Sequence, residues 1–234
     1  MIDTHCHLLP GLDDGPQTVD DAIALARRLV EDGISFVLCT PHYSRMFPTS
    51  HTNAVDRFAV LQEALAEASL ALDVELAAEI GPAFALSSPL EELQRRAVRG
   101  RYLLVEVLPD SPGGLFGAVS DRLEEEAGLV PIFAHPERCR AVQRHPTLIE
   151  DARRRGALVQ IVAPSLIRRW GRGVASAAWG LLGAGWVDLL GSDAHGATRR
   201  GVHLAKAVEL IRARFGAELA RDVVLRNPAR VLPR

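Results

Sequence analysis

Short apolar runs alternate with amphipathic segments along the whole of this 234-residue chain, and that rhythm is its strongest constraint on folding. Seven runs predict strands: Met1–His5, Ile34–Thr40, Val74–Ile80, Tyr102–Leu108, Leu129–His135, Ala157–Val162 and Trp186–Ser192. Ile34–Thr40 illustrates the type, rich in the β-branched and aromatic residues that suit a pleated surface. The intervening segments predict helices. The first has Thr18 as N-cap, Asp21 three residues on, apolar Ile23, Leu25, Ala26, Leu29 and Val30, and Gly33 as a stop. Others begin at Asn53 and pass through Leu61 and Leu65, or cover Leu115–Ala127 and Thr147–Arg155, with Gly128 and Gly156 beyond their ends. Val202–Val224 reads as two helices broken near Gly216. Such alternation implies a parallel sheet covered by helices.

Polar residues choose between an open sheet and a barrel. His5 and His7 close the first strand and His42 follows the second. Glu79 and Glu106 lie near the ends of the third and fourth, His135 ends the fifth, and Asp193 and His195 follow the seventh. Asp13 and Asp14 sit in the loop after the first strand. In a (β/α) barrel these ends converge on one face, whereas an open sheet strings them along an edge. The pattern therefore predicts a distorted seven-stranded (β/α) barrel, TIM-like, with residues 1–234 as a single domain. No G-x-G-x-x-G or G-x-x-x-x-G-K-[ST] follows the first strand, which argues against a nucleotide-binding fold.

A single buried histidine or carboxylate is usually a satisfied structural residue. A whole ring of strand-end His, Asp and Glu is different, because buried unpaired carboxylates are costly unless a cation neutralises them. His5 and His7, at i and i+2 on a strand, point to one face and can reach one ion, while Cys6 points away into the core. His51, His145 and His203 fall outside the pattern and read as surface or packing residues.

Composition narrows the class of protein. Hydrophobic residues make up 48% and charged residues 24%, which fits a globular chain and excludes a disordered one. A formal net charge of −2 and 5% aromatics give no footing for nucleic-acid binding. Cys6, Cys39 and Cys139 are odd in number and widely spaced, so no disulfide framework is expected and a reducing, cytoplasmic setting is. The start MIDTHCHLLPG has no secretory pattern, and no run nears the ~20 apolar residues of a membrane helix.

The segments IDTHCHLLPGLDDGP, TPH at 40–42, Glu79-Ile80, VEV at 105–107, AHPER at 134–138 and GSDAH at 191–195 together resemble the PHP superfamily of metal-dependent phosphoesterases. Within it, the combination is most similar to the CpsB/CapC branch, the bacterial capsule-type protein-tyrosine phosphatases. The resemblance spans essentially the whole chain. It implies a distorted barrel of the PHP type with three divalent metal ions, most often Mn²⁺, with Fe²⁺ or Zn²⁺ also compatible with imidazole and carboxylate ligands. It implies His5, His7, Glu79 and Asp193 around one ion. Glu79 would bridge to a second held by Glu106 and His135, with Asp14, His42 and His195 around a third. Arg138 and Arg200 match positions associated with phosphate binding. The implied partner is a phosphotyrosine-bearing protein, such as a bacterial tyrosine kinase that controls capsule or exopolysaccharide synthesis. Departures fall on the substrate-facing walls: Cys139 stands where an aromatic is common, Gly81-Pro82 stiffens the chain after Glu79, and Tyr43–Thr52 is not family-like.

Four carboxylates against three divalent ions leave such a site net positive before hydroxide binds, which suits a phosphate dianion. Alternatives are a small phosphomonoester such as histidinol phosphate, a nucleic-acid end, as in TatD-type nucleases, or a binding module without chemistry. The spacing Cys39-x5-Arg45 imitates a cysteine phosphatase loop, but it has no glycine, and Pro41 removes an N–H from a loop that must point N–H groups at phosphate.

Overall fold

The structure, a computed structural model, describes residues 1–232. Its strands are β1 (Ile2–Cys6), β2 (Phe36–Cys39), β3 (His42–Tyr43), β4 (Asp73–Leu76), β5 (Glu79–Ile80), β6 (Tyr102–Glu106), β7 (Val130–Ala134), β8 (Leu158–Val162) and β9 (Leu189–Gly191). They pair in parallel in the orders β1-β2-β4 and β3-β5-β6-β7-β8-β9. Two of the expected strands are each split in two. Ile34–Thr40 is shortened to β2, and β3 resumes beyond Thr40-Pro41; Val74–Ile80 divides into β4 and β5 around Ala77-Ala78. Pro41 has no N–H for the ladder, yet hydrogen bonds bridge the break, from Ala77 N to Cys39 O at 2.8 Å and from Glu79 N to Pro41 O at 3.0 Å.

The circuit closes between β9 and β1. Asp193 N donates to His5 O at 2.8 Å and His7 N to Ala194 O at 2.9 Å, pairing Cys6 with Ala194. Seven strand positions, each parallel to its neighbours, thus form the expected distorted ring.

Helices cover the outside. Val19–Glu31 carries the expected capping box: Thr18 accepts from Asp21 N, and the Asp21 carboxylate accepts from Thr18 N. The second helix, His51–Glu67, starts ahead of Asn53 because Ser50 is the cap, its Oγ accepting from Asn53 N at 3.0 Å. Leu115–Ser120 runs on as a wider, π-type turn over Asp121–Glu126. The C-terminal pair, Leu204–Phe215 and Ala217–Arg221, breaks at Gly216, whose φ of +96° suits glycine. The helix Arg172–Gly183 was not foreseen. Its glycines weaken the local signal, and burial of Ala175, Ala178, Leu181 and Leu182 holds it instead.

Period-2 alternation divides the core into two regions. Leu103, Val105, Phe133, Val159, Ile161 and Leu190 face the helices and belong to the main apolar cluster. Leu38, Leu104, Ile132, Ala134 and Leu189 form a second cluster with Val231 and Leu232. Ile2, Phe36, Tyr102 and Leu158, at the starts of their strands, pack against it, so the chain's last turn closes the end of the barrel where the strands begin.

Candidate metal centre

At the opposite end, where the strands finish, inward positions change from apolar to ligating. On β6, Tyr102, Leu104 and Glu106 share a face, and Glu106 is the last of the three. β1 supplies His5 and the residue past its end, His7; β3 supplies His42 and β5 supplies Glu79. His135 follows β7, and Asp193 and His195 follow β9. His135 and Asp193 adopt left-handed backbone, with φ of 38° and 51°. Such conformations are costly for non-glycine residues and persist where the surroundings hold them.

Glu79 is the centre. Its Oε1 lies 2.9 Å from His135 Nε2. Its Oε2 lies 3.3 Å from His5 Nε2, 3.3 Å from His7 Nε2 and 3.1 Å from His42 Nδ1. Those short approaches are not aligned as hydrogen bonds: Glu79 Oε2, His42 Nδ1, His135 Nδ1 and His195 Nε2 are buried without a hydrogen-bond partner. Glu79 Oε2 and His42 Nδ1, 3.1 Å apart and both without a hydrogen-bond partner, are acceptors that a shared cation would satisfy.

The ligand-capable groups gather as His5, His7 and Asp193; as His5, Glu79 and His135; as His42, Glu79 and Glu106; and as His7, Asp14, His42 and His195. Within each group the nearest ligand atoms lie within 4.8 Å of one another, close to the span across an ion that holds each ligand at about 2.0–2.2 Å. All nine residues expected from the sequence come together here, while His51, His145 and His203 belong to none of these groups. The overlaps go beyond the expected partition, since His7 also joins the Asp14 group and His42 joins Glu79 and Glu106.

Electrostatics agree with this fit. Burial opposes ionisation of Glu79, but the His5 charge and the imidazoles of His135, His42 and His5 set against it outweigh burial and hold the carboxyl well below its usual range. Glu106 goes the other way: burial, then the neighbouring Glu79 charge, push it up to about 6. This is carboxylate crowding that cations relieve. His195 is pushed down to about 4 by burial and by His7, which keeps its imidazole neutral at pH 7, as a ligand must be.

Two orienting residues escaped the sequence reading as ligand partners. Asp13, noted only as a loop acid, accepts from His7 Nδ1 at 2.8 Å and from the backbone of His42 at 2.9 Å and of Gly15 at 2.9 Å. Its signal was the doubled acid in DDGP. Gln160 on β8 touches His5 Nδ1 at 2.7 Å; its only signal was one polar residue in an apolar strand.

Arg138 and Arg200 lie at the rim. Arg138 Nη1 is 3.3 Å from Asp193 Oδ2, and its guanidinium lies 4.8 Å over the Trp170 ring. Arg200 bonds Asp14 Oδ2 at 2.7 Å and lies 3.3 Å from both Asp193 oxygens. Both line a cleft of about 440 Å³ with Asp14, His42, Glu106, His135 and Asp193. Met46, Phe47, Phe84 and Leu108 give the cleft an apolar wall, so the Tyr43–Thr52 segment does contribute to the site. Phe47 stacks on His42 with ring centres 5.2 Å apart. Cys39 is fully buried, and burial with the Asp3 charge pushes its thiol far above the range in which a thiolate forms. A buried thiol held in its protonated form is poorly suited to act as a nucleophile.

Comparison with known proteins places these features in a family. The family described as capsular polysaccharide synthesis, CpsB/CapC, matches residues 1–233. Tyrosine-protein phosphatase YwqE of Bacillus subtilis is 30% identical over 97% of this chain and 92% of its own length. Tyrosine-protein phosphatase CpsB of Streptococcus pneumoniae is 24% identical over 99% and 98%. Among solved structures, one described as YwqE from Bacillus subtilis and CpsB from Streptococcus pneumoniae, unique metal-dependent tyrosine phosphatases, superposes with a TM-score of 0.84 at 28% identity, covering 97% of this chain and 95% of that one. A D-hydantoinase superposes with a TM-score of 0.60 at 13% identity, covering 95% of this chain and 68% of that one; this is likeness of fold alone.

Proposed function

Since the chain belongs to the CpsB/CapC family, we propose that its cleft hydrolyses the phosphate ester of phosphotyrosine on a protein. One observation carries the reading: a polar floor of ligand groups and two arginines meets an apolar wall of Met46, Phe47, Phe84 and Leu108 in a single cleft. A phosphotyrosyl side chain has the same two parts, a dianionic head and an aromatic ring. The whole chain resembles proteins named as tyrosine phosphatases, which supports the same conclusion.

We assign His5, His7, Glu79 and Asp193 to one divalent ion, Glu79, Glu106 and His135 to a second, and Asp14, His42 and His195 to a third, with Mn²⁺ the leading candidate and Fe²⁺ or Zn²⁺ the alternatives. Such ions supply an activated water and neutralise charge on the phosphoryl oxygens. The remaining work belongs to the protein. Asp13 holds the His7 ring through its Nδ1, leaving Nε2 free to bind. Arg138 and Arg200 turn from the carboxylates to phosphoryl oxygens by fork-like bonds. The apolar wall grips the aryl ring and keeps water from its flank. Tyrosinate, with a pKa of about 10, leaves more readily than an alkoxide and needs less protonation.

The partner we propose is a bacterial tyrosine kinase controlling capsule or exopolysaccharide synthesis. A cytoplasmic setting agrees with three free, buried cysteines. Among the described residues, no helix is long and apolar enough to cross a membrane. The test is a panel of phosphotyrosyl peptides, histidinol phosphate and single-stranded DNA assayed with added Mn²⁺. Preference for the peptides by kcat/KM is expected; preference for either of the others overturns the substrate assignment.

A further inference from the structure

Of the seven strand positions in the ring, β8 alone gives no ligand to the cluster. At the corresponding depth it carries Gln160, which is fully buried. The Gln160 amide nitrogen donates to Thr4 Oγ1 at 2.7 Å and lies 3.2 Å from the Thr4 carbonyl oxygen. A carbonyl only accepts, so the amide orientation is fixed: the NH₂ faces Thr4 and the oxygen faces His5. That oxygen is 2.7 Å from His5 Nδ1. It too can only accept, so Nδ1 must carry the proton, and the lone pair is left on Nε2. Nε2 is the nitrogen that points into the cluster, 3.3 Å from Glu79 and 3.6 Å from Asp193.

We propose that Gln160 is a positioning residue that sets the tautomer of His5 and so commits Nε2 to metal. Gly191 on the neighbouring strand keeps the pair packed, because a Cβ there would lie 2.6 Å from His5 Cβ and 3.3 Å from Gln160 Cδ. The arrangement contrasts with His7, whose Nδ1 is held by the carboxylate of Asp13 at 2.8 Å. A carboxylate at both places would add a sixth acid to a pocket already crowded by Asp13, Asp14, Glu79, Glu106 and Asp193. A neutral amide fixes the ring without adding charge, and the Thr4 contacts supply the orientation that a symmetric carboxylate would not need.

The inference rests on reading His5 as a ligand, and the test separates the two. Full-length protein is loaded with Zn²⁺, a diamagnetic probe, and histidine side-chain ¹⁵N NMR reads which His5 nitrogen bears the proton and which binds metal. Zn²⁺ affinity is measured in parallel by chelator competition. Wild type is expected to show protonated Nδ1 and metal-bound Nε2. Gln160→Leu should lose the single tautomer and weaken one Zn²⁺ site by roughly 10- to 100-fold, the usual scale for an outer partner of a metal-binding histidine. Gln160→Glu, still an acceptor, should restore the tautomer and most of the affinity. Thr4→Val is the control for packing damage, since it removes a hydroxyl bond while the Thr4 carbonyl still orients the amide; it should keep the tautomer and nearly all the affinity. A Gln160→Leu protein with wild-type tautomer, or an affinity loss matched by Thr4→Val, overturns the positioning role. A wild-type His5 signal untouched by Zn²⁺ instead overturns His5 as a ligand.

Discussion

The two ends of the barrel use the same strands for opposite purposes. Where the strands begin, inward positions are apolar, and Leu38, Leu104, Ile132 and Leu189 pack with Val231 and Leu232. Where they finish, the same inward face carries Glu106, Gln160 and, just past the strand ends, His135 and Asp193. On β6 the change occurs within one turn of the pleat, from Leu104 to Glu106. The first end gains stability from buried apolar surface. The second concentrates charges that repel one another and must be offset by ions, arginines and oriented histidines. Stability and chemistry are thereby separated along the barrel axis, as in (β/α) barrels generally.

Glu79→Ala tests the charged end most severely. Removing a buried charge that several partners share destabilises the fold by about 3–5 kcal/mol; a loss of that size in transition-state stabilisation would lower kcat/KM on a phosphotyrosyl peptide by about 10²- to 10⁴-fold, with metal analysis showing lost ions. Near wild-type turnover with full metal content would remove Glu79 from the centre.

Arg138→Ala and Arg200→Ala should divide the charged end into metal assembly and substrate capture. Metal content should stay intact, because guanidinium offers no lone pair. Losing a charge-assisted bond to phosphate costs roughly 1.5–3 kcal/mol, or about 10- to 150-fold in kcat/KM, and lysine should rescue only in part. Unchanged kinetics in both variants would point to Arg45 and the Tyr43–Thr52 segment instead.

Leu104→Ala probes the apolar end. A cavity there should cost roughly 2–5 kcal/mol and lower Tm by about 4–20 °C, with metal content and kcat/KM of the folded protein close to wild type. If metal affinity collapsed as well, the two ends would not be separable. Chelation is the mirror experiment, abolishing activity while leaving the apolar end intact. At 100-fold excess over Kd each ion adds about 2.7 kcal/mol, so stripping one such site should lower Tm by about 5–10 °C. Equal melting of verified metal-free and metal-loaded protein would contradict a buried cluster.

The smallest effect is expected from Cys39→Ser. Cys39 packs in the main apolar core, so its loss should lower Tm modestly and leave kcat/KM of metal-loaded protein within about twofold, as for a substitution that touches no reacting group. Abolished turnover with the ions still bound would revive a thiol mechanism.

The amino-acid sequence alone determined a good deal. Alternating runs fixed the βα order, because strand and helix periods are local properties of side-chain spacing. Placement of His5, His7, His42, Glu79, Glu106, His135, Asp193 and His195 at run ends foretold convergence on one face, since parallel strands in a ring all finish on the same side. Tertiary structure alone decided the rest. The splits at Pro41 and at Ala77-Ala78 depend on which neighbour each strand pairs with. The closure of Cys6 against Ala194 and the seating of Val231 and Leu232 join residues from opposite ends of the chain. So do the roles of Asp13 and Gln160: a lone glutamine in LVQIV looks like any polar interruption until a histidine from β1, 155 residues away in sequence, lies against it. Periodicity reports which way a side chain faces, but hydrogen bonds between distant strands are set only when the ring closes.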